Sequence, residues 1–301
     1  MKKIALLGLL AILLTPLAWS QTGAPLEKSL LWEIEGKGLK TPSYLYGTIH
    51  MIGKDDYFLT DQTRTAFDKA EQVVFEIDME EMNNMFVQFS LLMQLFMEGG
   101  QTLRDLVSQE DYDLVKAHFE EIGLPLMLLE RIKPLFLSVF ASGDISQEGF
   151  ASGEVVSYEM EFMEMAQAAK KDISGLETIE FQMSIFDSIP YKDQAAMLVE
   201  SIKAEEGEGS GMDFKALVEV YKSQDLEAMQ QTIEEEGASV SSYENILLSG
   251  RNTNWIPIMV KKMQKKSCFF AVGAAHLGGP NGVIALLRKE GYTLRPLHVQ
   301  P

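Results

Sequence analysis

Between residues 30 and 47 apolar and polar positions alternate, with Leu31, Glu33 and Glu35 on one set and Trp32 and Ile34 on the other. The chain then passes Gly36-Lys37-Gly38 and enters Tyr44-Leu45-Tyr46. A period of two interrupted by glycines predicts two strands joined by a short loop. The period lengthens at Thr60, from which helical spacing runs to Gln72 with Thr60 as candidate N-cap. The β-rich run Val73 to Asp78 follows, and strand, helix, strand in that order suggests a βαβ unit.

From about residue 80 to residue 250 the pattern is predominantly helical. Met82, Met85, Phe86, Phe89, Met93 and Phe96 recur at three-and-four spacing, which predicts one buried stripe. Binding of soft metals or varied hydrophobic peptides is the alternative use of such methionines. The run Glu205-Glu206-Gly207-Glu208-Gly209-Ser210-Gly211 reads as a flexible loop and Glu234 to Glu236 as a solvated helix face. Lys261, Lys262, Lys265 and Lys266 suit the negative end of a helix dipole. Inside this region Asp172 to Glu177 predicts a third strand entering a helix at Thr178. Beyond it, Ser267 to Val272 and Tyr292 to Leu297 predict strands flanking a helix from about Gly282 to Lys289. The fold class is therefore α/β: a central mixed β-sheet built from both chain ends, with a large, predominantly helical insertion over about 80–250.

The N-terminus alters the domain picture. Lys2 and Lys3, the apolar run Ile4 to Leu14, and Ala18-Trp19-Ser20 predict a secretory signal peptide over 1–20, cleaved after Ser20. The remaining 21–301 domain is expected to be exported, periplasmic or secreted. The apolar run is shorter than the roughly 20 residues of a spanning helix, and no stable membrane insertion is expected after cleavage. The formal charge of −18 becomes about −20 once Lys2 and Lys3 are removed, leaving 24 basic against 44 acidic residues. A field of that sign opposes nucleic acid and anionic lipid. The single cysteine, Cys268, excludes an intramolecular disulfide and lies in an apolar run, which predicts a buried, inert thiol.

Candidate chemistry comes from a repeated pattern. Gly47-Thr48-Ile49-His50-Met51-Ile52-Gly53 and Gly273-Ala274-Ala275-His276-Leu277-Gly278-Gly279 both have the form Gly-x-x-His-x-x-Gly, and both follow a predicted strand. In open α/β sheets ligands bind beyond the carboxyl ends of strands, so His50 and His276 are expected to share one site. A histidine that merely ties down its own turn is the structural alternative. His118, in an amphipathic helix, and His298, near the C-terminus, have no comparable setting and are expected to be structural or surface residues.

Two imidazoles need acidic partners. Period-two geometry places Glu76 and Asp78 on one face of their strand with Val74. A carboxylate in such a run needs a metal, a cation or a histidine beside it, which assigns Glu76 to the site. Asp78 has a cheaper explanation, a capping box with Glu81 at the start of the next helix. Glu177 ends another strand and either reaches the same rim or sits at a helix N-terminus. Arg251, in a turn-like segment, either stabilises an anionic transition state or is a solvated loop arginine.

Leu45-Tyr46-Gly47-Thr48-Ile49-His50, Val74-Phe75-Glu76, Gly175-Leu176-Glu177-Thr178, Arg251-Asn252 with Trp255, and Val272-Gly273-Ala274-Ala275-His276 resemble the TraB/GumN family, related to the Tiki proteases and more distantly to erythromycin esterases and ChaN-type haem-binding proteins. The resemblance implies an α/β sheet with helical insertions and a hydrolase-type centre of two histidines and a glutamate, metal-dependent in the Tiki branch. Glu159 stands where relatives tend to have Gly-x-Asp and Lys170-Lys171 replaces a Gly-Lys turn, departures expected to touch only a distal helix. The leading expectation is metal-assisted hydrolysis of a peptide or related carbonyl substrate. His50, Glu76 and His276 would hold a divalent ion (Mn, Co or Zn), with Glu177 as base and Arg251 as oxyanion partner. One alternative is a metal-free hydrolase with His50 as general base, oriented by Glu76 or Glu177. Another is a protein that binds haem or a peptide without catalysis.

Overall fold

The computed structural model describes residues 26–81, 84–141, 154–205, 214–236 and 242–297. The predicted signal peptide, His298 and the glycine-rich run after Glu205 lie outside them, as do the side chains of Glu234 to Glu236.

The two alternating segments form β1 (Leu31–Glu35) and β2 (Ser43–Thr48), paired antiparallel with Leu31 opposite Tyr46. The loop between them takes three successive residues into left-handed backbone, Gly36 (φ 100°), Lys37 (φ 46°) and Gly38 (φ 79°), a conformation that glycine adopts without steric cost. After a short strand β3 (Ile52–Gly53) comes helix α1 (Asp61–Lys69), whose N-cap Thr60 accepts a hydrogen bond from the Thr63 N–H. Strand β4 (Gln72–Ile77) follows. The β2-α1-β4 unit is parallel but not adjacent, because β7 (Cys268–Gly273), from the far end of the chain, inserts between the two strands. It pairs parallel with both, Thr48 lying opposite Gly273 on one side and Phe75 opposite Ala271 on the other.

The sheet has six strands in the order β6-β4-β7-β2-β1-β8, with β6 (Asp172–Glu177) parallel to β4 and β8 (Thr293–Pro296) antiparallel to β1. Both chain ends thus build one mixed sheet. Every residue of β2 is buried and β7 is buried up to its last residue, as befits strands covered on both faces. Trp32, Phe67, Phe75, Phe162, Phe269 and Phe270 fill the core around them.

The intervening chain is mostly helical: α2 (Met85–Gln94), α3 (Gln109–Glu121), α4 (Pro134–Ala141), α5 (Tyr158–Ala168), α6 (Ile179–Asp187), α7 (Tyr191–Glu205), α8 (Phe214–Lys222) and α9 (Leu226–Glu236). Helix α10 (Gly250–Met263) leads into β7, and α11 (Val283–Lys289) connects β7 to β8. A second hydrophobic cluster, including Tyr112, Phe119, Leu137 and Leu198, unites α3, α4 and α7. The short strand β5 (Val155–Val156) pairs with β3. Thr178 caps α6 through the Phe181 N–H, and Lys261 and Lys262 occupy the last turn of α10.

Three local expectations are corrected. The methionine and phenylalanine stripe is on the surface: Met85, Phe86, Phe89 and Met93 are exposed and α2 contains no buried residue. Helical period defines a face but not whether another element covers it, and Met82 lies outside the described residues. Asp78 does not cap α2. It accepts the Glu80 N–H in a local turn, and Asn84 is the N-cap. Arg251 is in the first turn of α10, buried rather than in a solvated loop. Cys268 is buried and free, its thiol pushed up to about 11 by burial. His118 bonds the Ala141 carbonyl, away from the sheet rim.

Candidate active site at the carboxyl ends of parallel strands

The four parallel strands β6, β4, β7 and β2 deliver their chemistry at the same end. Glu177 terminates β6, Glu76 is one residue from the end of β4, His276 follows β7 by one 3-10 turn, and His50 follows β2. The two glycine motifs are in direct contact, since a Cβ on Gly47 would lie 3.0 Å from that of Ala274 and 3.1 Å from Leu277 Cδ2. Gly273 is constrained by the site itself, where a Cβ would stand 3.3 Å from Glu76 Oε1 and 3.5 Å from His276 Cδ2. Its role is close approach, with its N–H donating to Glu76 Oε1 at 2.9 Å.

A chain of hydrogen bonds sets the state of His276. Asn252 donates from Nδ2 to the Asn281 carbonyl at 3.0 Å, which turns its Oδ1 toward His276 Nδ1, 2.7 Å away. Nδ1 therefore carries the proton and Nε2 presents its lone pair to the site. Nε2 lies 3.7 Å from Glu76 Oε1 and 3.3 Å from Arg251 Nη1, and the ring packs against Trp255 with centroids 4.4 Å apart. Burial lowers the imidazole to about 4 despite Glu76 nearby, so it is neutral at neutral pH.

Arg251 is the electrostatic hub. Its Nε donates to both oxygens of Glu177 at 3.1 Å, Nη2 to Glu76 Oε2 at 2.6 Å and to Glu177 Oε2 at 2.8 Å, and Nη1 to the Leu247 carbonyl and His276. All five guanidinium N–H groups are thus engaged within the protein, leaving none for a substrate oxygen in this arrangement. Burial would raise the Glu76 carboxyl, but His276, Arg251 and the Gly273 N–H hold it down at about 2. Because His276 is neutral, Arg251 and the more distant His50 are the standing cations in that balance, and the two acids in turn raise the arginine's own pKa against its burial. Glu177 lies behind Arg251, its side chain only 4% exposed, and does not line the cleft.

His50 lines the same cleft with its side chain 71% exposed. Its Nδ1 is 3.2 Å from Glu159 Oε1, an oxygen that also accepts from Thr48 Oγ1 at 2.7 Å. The Glu159 hydrogen bond raises His50, to about 9, in opposition to desolvation. The ring's exposure leaves this pairing open to solvent screening. Glu159, at the start of α5, is therefore not on a distal helix but in contact with the first glycine motif. Two adjoining cavities share His50, Glu76 and Gln182. One, of about 400 Å³, extends past Arg251 to His276, and the other, of about 380 Å³, extends past Glu159 and Met160. Gln182 on α6 donates to Glu76 Oε2 at 3.1 Å.

His50, Glu76, Arg251 and His276 are thus brought to one cleft, with Glu177 immediately behind the arginine. Thr48, Glu159, Gln182 and Asn252 join them without having been singled out in the sequence for a role. Thr48 and Asn252 sit inside recognised motifs, and their proximity was the available signal. Gln182 and Glu159 belong to helices whose docking no local pattern reveals. Among the described residues no group of three His, Cys, Asp or Glu side chains is placed to hold a metal ion. The nearest pair of donors, His276 Nε2 and Glu76 Oε1, is 3.7 Å apart, and each already accepts a hydrogen bond, from Arg251 Nη1 and the Gly273 N–H; His50 is turned to Glu159 and Arg251 occupies the other Glu76 oxygen, so an ion is held here only with rearrangement of these side chains.

The TraB/PrgY/gumN family model matches residues 30–296. The chain is similar to metalloprotease TIKI1 of Danio rerio, with 23% identity over 90% of this chain and 64% of the relative, and to human TIKI1, with 21% identity over 90% and 63%. TIKI2 of Xenopus tropicalis is 22% identical over 92% of this chain and 62% of its own length. The chain therefore spans somewhat under two thirds of these relatives. No solved structure matches it. No described helix is long and apolar enough to cross a membrane.

Proposed function

The chain belongs to the TraB/PrgY/gumN family, and from that premise we propose that it is an exported hydrolase of peptide or related carbonyl bonds. Its centre is the cleft shared by His50, Glu76 and His276. The observation that carries this reading is the convergence of two glycine-histidine motifs and an ionised, buried glutamate at the ends of adjacent parallel strands. The metalloprotease relatives supply the reaction class, and Lys2, Lys3 and the apolar run after them support export.

Hydrolysis adds water across the scissile C–N bond. The water oxygen bonds to the carbonyl carbon, its proton passes to a base, and the leaving amine takes a proton. His276, neutral and with an unprotonated Nε2 that accepts a long contact from Arg251 Nη1, is suited to accept the proton when that contact gives way to the water. His50, held protonated by Glu159, is suited to stabilise the developing oxyanion or protonate the amine. Opposed shifts in two neighbouring titratable groups are the usual mark of an acid and base pair. Arg251 acts through its charge and by fixing Glu76, while Glu177 acts as the anchor of Arg251. His276, Glu76 and His50 are the residues that would hold a divalent ion, and the chemistry it would supply is a bound water of lowered pKa and a polarised carbonyl.

Quenched-fluorescence peptides incubated with purified 21–301 protein test both parts of this reading. Turnover that disappears in His276→Ala and His50→Ala variants, by about 10²-fold or more, is expected. Undiminished turnover in either variant overturns the assigned centre. Loss of turnover on chelation with recovery on adding Mn, Co or Zn supports the ion, and full activity after chelation and dialysis leaves the two-histidine version in its place.

A further inference from the structure

The second cavity beside His50 has a composition that the chemistry of bond cleavage does not require. Away from the shared groups its apolar walls are Met51, Phe75, Ile77, Met79 and Met160, contributed by the segment after β2, by β4 and its exit, and by α5, with Ser157 and Glu159 as the polar residues at the start of that helix. Its volume is about 380 Å³, in the range of small-ligand pockets. The charged groups on its rim already have partners in the protein, Glu76 on Arg251 and Glu159 on His50 and Thr48. Both carboxylates are thus engaged, and among the described residues that line this pocket His50 is the one cationic side chain. A pocket that opens from the groups proposed to act on the scissile bond, and is walled mainly by apolar side chains with its polar residues bonded to one another, is placed to bind the neighbouring part of the same substrate.

We propose that this pocket is a specificity subsite for a large apolar side chain, such as leucine, methionine or phenylalanine, next to the scissile bond of a peptide substrate. The proposal rests on the hydrolase reading and deepens it by naming the substrate class. Three of the five apolar walls are methionines, whose unbranched, polarizable side chains adapt to differently shaped partners. The subsite therefore selects for apolar bulk, and not for one side-chain shape.

The test uses the mature protein and a series of quenched peptides identical except for one residue beside the cleaved bond, carrying Leu, Met, Phe, Ala, Lys or Glu. The cleaved bond is located first by mass spectrometry of a mixed-sequence peptide library. The Leu, Met and Phe peptides are expected to have kcat/KM values within roughly threefold of one another and on the order of 50-fold above Ala, as three buried carbons imply. Met79→Glu, with Met160→Glu as an independent second variant, is expected to reduce the Leu-to-Ala ratio at least about tenfold. That ratio compares two substrates on one enzyme, so partial loss of folded protein cancels. Cleavage with no apolar preference overturns the inference while leaving the hydrolase reading intact, and so does a preference unchanged in both variants. Should no peptide be cleaved, the peptidase form of the hydrolase reading fails, and calorimetry with an acetyl-leucine amide probe decides the subsite separately. Saturable binding that Met79→Glu abolishes sustains it, and absence of binding overturns it.

Discussion

Gly47 of the first glycine-histidine motif packs directly on Ala274 of the second, so closely that a methyl group on Gly47 would lie 3.0 Å from the alanine Cβ. The register of two neighbouring parallel strands thereby fixes the spacing of the loops that carry His50 and His276. The contact involves Ala274 backbone as well as side chain, so relief requires the loops to part. Gly47→Ala is expected to destabilise the fold by about 1–3 kcal/mol, the usual cost of overpacking a closed core. Urea denaturation measures it, and turnover should fall in the protein that remains folded.

Arg251 joins Glu177, Glu76 and His276 in one buried network. Arg251→Gln leaves two carboxylates buried without their cation, for which about 3–5 kcal/mol of lost stability is expected. Arg251→Lys keeps the charge but not the fork that spans both acids. It should retain more stability than Arg251→Gln while still losing most of the turnover. An Arg251→Lys enzyme with wild-type kcat would show that position matters less than charge.

Glu159 distinguishes the two histidines. Its carboxylate raises His50, so Glu159→Gln is expected to bring the imidazole back toward 6.5. In chelated protein the alkaline limb of the kcat/KM profile should shift downward in pH with it, and a nuclear magnetic resonance titration of the His50 ring should show the same displacement. The acid limb, which reports His276, should stay in place.

Stability should fall on the acid side, with a defined origin. The folded value of His276, about 4, is below its unfolded value of 6.5. Between them the unfolded chain binds a proton that the native state excludes, and stability rises with pH across that window. Glu76, lowered from 4.5 to about 2, contributes stability present above pH 4.5 and lost as pH falls through 2. Chemical denaturation of chelated protein from pH 3 to 8 should therefore show a slope of up to about 1.4 kcal/mol per pH unit between pH 4 and 6.5. His276→Gln should flatten that part of the curve.

Local pattern alone identified the β1 and β2 hairpin, the Thr60 cap, the helix start at Thr178, the strand at 172–177 and, one residue early, the strand expected over 267–272, together with the matched glycine-histidine segments, because periods of two and 3.6 and the chemistry of turns are set by residues a few positions apart. It also marked Glu76 as an acid needing a partner. Only the tertiary structure decided that β7 lies between β2 and β4, which brings His50, Glu76 and His276 together from distant parts of the chain. The same packing buried Arg251 against two acids, carried Glu159 from a supposedly remote helix to His50, and left the Met85 to Met93 face of α2 uncovered. Those outcomes depend on which surfaces meet across long sequence separations, and a side chain's partner there is not written in its neighbours.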